Sequence, residues 1–176
     1  MIYKELKSIV VEKNIVIAAR ANLENVIFQG KQVKQIENEI KKQLKPNKSF
    51  QNLLTVPGIG KILAFTILLE VGDINRFAKV GNFSSYCRCV TSKRLSNGKV
   101  KGHGNRKNGN RYLSWAFVEA AQKARRYNTR FRSYYDRKAA QTNKIVAAKA
   151  LSNKLARICY YIMRDQVPFQ EELVAQ

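Results

Sequence analysis

Helical periodicity, cut at only a few points by proline, is what most limits the folds open to this chain. From Ile2 to about Leu44 apolar residues recur at helical spacing, Ile9, Val10, Ile17, Leu23, Ile27, Val33, Ile36 and Ile40 among them, and no proline interrupts them. The spacing predicts one long helix, or two antiparallel ones with Gly30 as the break, and Pro46, Asn47 and Lys48 close this arm. A helical arm with one apolar stripe pairs with another helix, in its own chain or in a second protomer. Residues 1–48 are therefore expected to be a linker or a dimerisation coiled coil, and the protein a homo-oligomer through it.

After the arm, LLTVPGIGKILAFTILLEV runs from Leu53 to Val71 and is broken once, at Pro57, Gly58 and Gly60. It reads as helix, hairpin, helix. In a DNA-binding element of that type the glycines let the turn press against a duplex backbone, and amides at the start of the second helix, here beside Lys61, point at a phosphate. The plainer alternative is an ordinary turn between two core helices. Further on, Leu113, Ala116, Phe117, Ala120, Ala121 and Ala124 trace one face of a helix ending near Tyr127. A short helix from about Arg130 to Ala140 follows. Thr142 or Asn143 then caps a last helix, Lys144 to about Gln166, ended by Pro168. The best strand candidate is Tyr86 to Val90, and the fold class is mainly α.

Charge narrows the function. The chain has 33 Lys and Arg against 12 Asp and Glu, a formal net charge of +21, so its natural partner is an anion, and nucleic acid comes first. A hydrophobic content of 45% is that of a folded protein and excludes a disordered basic tail. The basic residues concentrate beyond the arm, where Glu119 is the sole carboxylate between Asp73 and Asp136, and aromatic residues are interleaved with them. Glu119 is expected to serve as a structural ion-pair partner, and some of the aromatics to stack on unpaired bases. No apolar run is long enough to span a membrane and the N-terminus lacks a signal-peptide core, so a cytoplasmic protein is expected. Cys87, Cys89 and Cys159 lack disulfide or zinc spacing and read as packing thiols.

The segment RLSNGKVKGHGNRKNGNRY, Arg94 to Tyr112, goes beyond what folding requires. It holds six basic residues (Arg94, Lys99, Lys101, Arg106, Lys107 and Arg111), four glycines, four asparagines and no carboxylate. Clustered cations match a phosphate backbone, and glycines allow close approach to it. His103 is read as a phosphate contact before a base. The segment reads as a basic Gly/Asn-rich loop that meets nucleic acid, and a mobile solvated loop whose charge only aids solubility is the alternative.

In order, VPGIGK, LEVGDINRF, YCRCVTSKRLSNGKVKGHGNRKNGNRYLSWAFVEAA and KLARICYYIMRDQVPF resemble the C-terminal transposase domain of the IS110 insertion-sequence recombinases, with wording like the IS1111 branch and with Piv-type invertases as relatives. The resemblance spans about Leu53 to Phe169 and implies a serine transposase domain at 49–170 with a tail at 171–176. It implies a nucleophilic serine in an SxG context, here Ser96, that attacks a DNA phosphodiester to form a phosphoserine link. It also implies a separate RuvC-like domain whose acids bind Mg2+, and in some members a structured guide RNA. Glu5, Glu12, Glu24, Glu37 and Glu39 are scattered along a helical pattern and form no metal cluster. The expectation is a truncated transposase, or one whose acidic half is a separate polypeptide, that binds nucleic acid and needs that half to cleave. A non-catalytic DNA- or RNA-binding remnant or regulator is the alternative, and a structural basic protein such as a ribosome-associated one is a third.

Overall fold

The structure is a computed structural model that describes residues 13–44, 47–90, 93–103 and 108–171. Among these, seven α-helices, one 3-10 turn and a two-stranded antiparallel ribbon make the chain mainly α. It divides into two units, Met1–Lys45 and Pro46–Gln176. No described helix is long and apolar enough to cross a membrane.

The first unit is helix α1, Lys13–Leu44. It runs unbroken through Gly30. An interior glycine costs about 1 kcal/mol relative to alanine, which a helix of 32 residues absorbs. Ile15, Val26, Val33 and Ile36 are exposed and recur on one side of α1. Arg20 pairs with Glu24 one turn on, at 3.1 Å. The part of the expected arm before Lys13 lies outside the described residues.

The second unit comprises α2 (Lys48–Leu54), α3 (Lys61–Val71), a 3-10 turn (Ile74–Arg76), α4 (Val80–Tyr86), β1 (Lys93–Ser96), β2 (Lys99–His103), α5 (Arg111–Tyr127), α6 (Thr129–Gln141) and α7 (Lys144–Asp165). Asparagine starts four of these helices: the side chains of Asn47, Asn110, Asn128 and Asn143 accept from first-turn amides of α2, α5, α6 and α7. Asn143, not Thr142, is the cap of α7. Thr142 instead donates its hydroxyl to the Lys138 carbonyl at the end of α6.

Helix α7 is the hub, packed against α2, α4, α5 and α6 through Leu151, Leu155, Cys159 and Ile162, all fully buried. Phe83 fills the space between them. Its ring lies 5.2 Å from Phe77, 5.8 Å from Tyr160 and 6.2 Å from Phe117, and burying each such side chain stabilises the fold by roughly 1.5–3 kcal/mol. The Tyr160 hydroxyl donates to the Phe77 carbonyl at 2.9 Å, so the buried phenol is satisfied. Beyond α7, Gln166 takes a left-handed conformation and donates to the Ser49 hydroxyl at 2.6 Å, while the Phe169 amide donates to Thr55 Oγ1 at 2.8 Å. The chain after α7 is thereby strapped across α2. Cys87, Cys89 and Cys159 are free and buried, and burial pushes the Cys89 thiol up to about 12.

Three expectations need correction. Tyr86 to Val90 is not a strand: Tyr86 ends α4, and the chain turns at Cys87 and Arg88. The strands lie instead inside the basic segment read as loop. Glu119 is half-buried on α5 but forms no ion pair with a described residue. The carboxylate that ties elements together is Glu70 on α3, which accepts from the Asn110 side chain at the start of α5.

Candidate nucleic-acid interface

The basic segment is a β-ribbon standing on a stapled base. Lys93–Ser96 pairs antiparallel with Lys99–His103, and the tip is Asn97-Gly98, with φ of 51° and 72°. Two left-handed residues in a two-residue loop make the tight turn whose twist matches the strands, and Asn-Gly is the pair that adopts it most easily. Ser96 is the last residue of β1 and sits directly opposite Lys99. Opposed residues share a face of the ribbon, so the Ser96 hydroxyl and the Lys99 ammonium project to the same side, both exposed. Arg94 pairs with Gly102 and Leu95 with Val100, which leaves Lys101, also exposed, as the extra residue of a bulge. His103 pairs with Lys93 at the far end of the ribbon from the turn. Arg106 and Lys107 lie outside the described residues.

At the foot of the ribbon four elements converge. The Asn110 amide nitrogen on the backbone donates to the Tyr86 carbonyl at 2.7 Å, its side-chain amide donates to the Glu70 carboxylate, and its side-chain oxygen caps α5 by accepting from Tyr112 at 2.8 Å and Leu113 at 3.0 Å. One residue thus ties α3, α4 and α5 together. Arg88, itself left-handed at φ 54°, donates to the carbonyls of Asn108 at 3.0 Å and Gly109 at 2.8 Å. Gly109 has φ 86°, and a Cβ there would stand 2.5 Å from the Tyr86 carbonyl oxygen, so only glycine lets the chain pass the end of α4 as it enters α5. The Arg76 guanidinium lies over the Phe77 and Tyr86 rings at 4.6 and 4.7 Å. The Asn110 amide, and after it Arg76, hold the Tyr86 phenol below the usual tyrosine range. Sequence reasoning missed this clamp. The detectable signal was Asn110 three residues before Leu113, the first residue of the apolar face of α5, in N-cap position; Glu70 and Arg88 gave none.

Arg111 opens α5 and donates to the Tyr112 hydroxyl at 2.7 Å. Tyr112 and Trp115, each 49% exposed, lie one turn apart on α5, adding two aromatic faces beside the basic base of the ribbon.

The turn at 55–60 has a different character. Gly58, at φ 91°, faces α5: a Cβ would meet the Ala120 carbonyl oxygen at 2.4 Å and the Ala124 amide nitrogen at 2.6 Å. The need for glycine here is internal, a close approach to an alanine-lined helix. Gly60 and Lys61 differ. Gly60 is the exposed N-cap of α3, has open space where a side chain would stand, and is followed by exposed Lys61 and Ile62. The first-turn amides of an eleven-residue helix, with no side chain capping them, end there.

Among the described residues no three His, Cys, Asp or Glu side chains come together to hold a metal ion. The carboxylates of the body are engaged elsewhere or dispersed: Glu70 with Asn110, Asp73 with Asn75, Asp165 with Arg164, Glu171 with Asn128 and Arg130. The described carboxylates do not converge as a Mg2+ donor set would.

A mainly α-helical body that staples down a carboxylate-free basic ribbon with a serine at its tip defines the class: a basic domain built to present one polar finger. The model of the Transposase IS116/IS110/IS902 family matches residues 50–136, from α2 through the ribbon to α6. A transposase for insertion sequence element IS1328 of Yersinia enterocolitica is 28% identical over 144 residues, covering 80% of this chain and 43% of that protein. A transposase for IS1111A of Coxiella burnetii is 26% identical over 141 residues (76% and 38%), and an uncharacterized 43.6 kDa protein of insertion element IS110 from Streptomyces coelicolor is 25% identical over 124 (70% and 31%). Over residues 50–136 the chain is a match to the IS116/IS110/IS902 transposase family. It spans less than half the length of these curated relatives.

Proposed function

We propose that the body is the DNA-binding, strand-joining domain of an insertion-sequence transposase, with Ser96 as its nucleophile. The observation that supports this most is the tip of the ribbon, where the Ser96 hydroxyl and the Lys99 ammonium share an exposed face above a rigid base. In the proposed step Ser96 Oγ attacks a DNA phosphorus, an Oγ–P bond forms, the bond from phosphorus to the departing sugar oxygen breaks, and the serine proton passes to a base. Charge grows on the non-bridging oxygens, where Lys99 and Lys101 are positioned to answer it. In this reading the base and the Mg2+ ligands come from an acidic domain supplied elsewhere, since the described carboxylates do not converge as a metal site would. DNA is held by the ribbon, by Arg111 and by the open start of α3 at Gly60 and Lys61, where amides and an ammonium meet a phosphate. A structured RNA guides target choice, and α1 joins protomers through its exposed apolar side.

The binding half of this reading is tested by salt titration. Each phosphate contact contributes about 0.9 to the slope of log K against log salt. Lys99→Ala and Lys101→Ala are each expected to flatten that slope by about 1 and to weaken duplex binding irrespective of sequence. An unchanged slope in both variants removes the ribbon from the interface.

A further inference from the structure

Most aromatic side chains of the body serve the core, but Tyr112 and Trp115 do not. Phe83, Phe117 and Phe131 are fully buried, and Tyr135 and Tyr160 nearly so. Tyr112 and Trp115 are each half in solvent, and neither belongs to the face of α5 that packs inward through Leu113, Ala116, Phe117 and Ala120. Their spacing of three residues puts both rings on the outer side of α5 near its start, with Cβ atoms about 5–6 Å apart. Tyr127, exposed as well, lies at the opposite end of α5 from the ribbon. The start of α5 is held in place: Asn110 caps it through the amides of Tyr112 and Leu113 and ties it to Glu70 and Tyr86. Charge along this side of the helix has a direction. Arg111 precedes the rings, its guanidinium 4.8 Å from the centre of the Tyr112 ring and donating to the Tyr112 hydroxyl at 2.7 Å. Glu119, half-buried, follows one turn beyond Trp115. A cation, two open rings and then a carboxylate make a surface with a phosphate end and a base end.

A nucleobase stacks on an aromatic ring whatever its sequence, and its phosphate takes a guanidinium. Inside a duplex each base is already stacked on its neighbours, so rings of this kind serve a base that has left the pairing. A protein partner would also bury exposed aromatics. The cation beside the Tyr112 ring and the basic ribbon rising from the same foot favour a polyanion instead. We propose that Tyr112 and Trp115 stack one unpaired base of the bound nucleic acid, with its phosphate on Arg111, so that the strand beside the ribbon is held open. The proposal rests on the nucleic-acid reading of the body and adds to it the state of the strand.

Trp115 is the only tryptophan of the chain, so its emission reports on this surface alone. The full chain is titrated with a fully paired duplex and with the same duplex carrying a short unpaired run, in DNA and in RNA, and affinity is read by anisotropy alongside tryptophan fluorescence. The unpaired run is expected to tighten binding about tenfold and to quench Trp115, while the fully paired duplex leaves its emission nearly unchanged. Trp115→Leu is expected to remove that preference and keep duplex affinity within about twofold, whereas Trp115→Phe retains most of it. Whichever of DNA and RNA shows the larger preference names the strand. A photoreactive base at the unpaired position is expected to cross-link to the peptide holding Tyr112 and Trp115. The platform is ruled out if the parent binds both duplexes equally and without quenching, or if Trp115→Leu, folded by circular dichroism, keeps the preference. Where Lys99→Ala still weakens duplex binding, the reading of the ribbon then stands. If the parent binds no nucleic acid, both fail. If Trp115→Leu dissociates an oligomer while the preference persists, the surface is a protein interface and the proposal is wrong.

Discussion

Two glycine-bearing turns in this body look alike on paper and work in opposite ways. The turn at 55–60 is pressed into the protein, since Gly58 leaves no room for a methyl group against Ala120 and Ala124. The turn at Asn97-Gly98 projects, and nothing stands within 4 Å of a Cβ built on Gly98. In the first, glycine serves packing; in the second it serves only the sign of φ. A glycine-rich motif in a basic protein is therefore not by itself a surface for DNA: what lies on the glycine's open side decides.

Substitutions sharpen that contrast. Gly58→Ala combines a positive-φ penalty with a clash against helix backbone and is expected to destabilise the body by about 3 kcal/mol, lowering its Tm by roughly 10 °C. Gly98→Ala is expected to cost about 1 kcal/mol, confined to the ribbon, with the body's melting transition barely moved. Equal shifts in thermal denaturation would erase the distinction between the two turns. Next in size is Asn110→Ala, which removes the cap of α5 and the donor to Glu70, and should cost about 2 kcal/mol. Amide exchange is the sharper measure there, because loss of the clamp should raise exchange in the ribbon before it does so in α7. The smallest effect belongs to α1. Gly30→Ala meets no neighbouring atom and should stabilise that helix by about 0.5–1 kcal/mol, visible as added helicity by circular dichroism on heating. A loss of helicity would mean that Gly30 is a built-in break after all.

Much of the helical body was legible because its signals are local. The apolar face of α5, the Asn143 cap and the ends of α6 and α7 each depend on residues a few positions apart. The unbroken α1 shows the limit of even a local rule, since one glycine in a long helix is affordable. The ribbon escaped because it has almost no apolar alternation: Leu95 and Val100 are its only paired aliphatics, and the Asn-Gly turn is what joins its strands. That dipeptide was the available clue, and the surrounding charge disguised it as loop. The clamp and the place of Gly58 were out of reach for another reason: Asn110 meets Glu70 forty residues away and Gly58 meets Ala120 across α5, contacts that only the tertiary packing creates. For the candidate site, residue types were readable and their grouping was not. Ser96 and Lys99 were both named from the sequence, but their pairing on one face follows from the register.

The claim on which the rest depends is that Ser96 forms a bond to DNA. The most direct measurement is a denaturing gel, followed by peptide mass spectrometry, of the chain incubated with element-junction DNA, matching RNA and Mg2+, with and without a separately supplied acidic domain. The account predicts a covalent adduct that appears only with the acidic domain, maps to the peptide holding Ser96 and vanishes in Ser96→Ala while DNA binding persists. An adduct that survives Ser96→Ala, or none at all despite tight binding and an active acidic domain, contradicts it and leaves a protein that only binds.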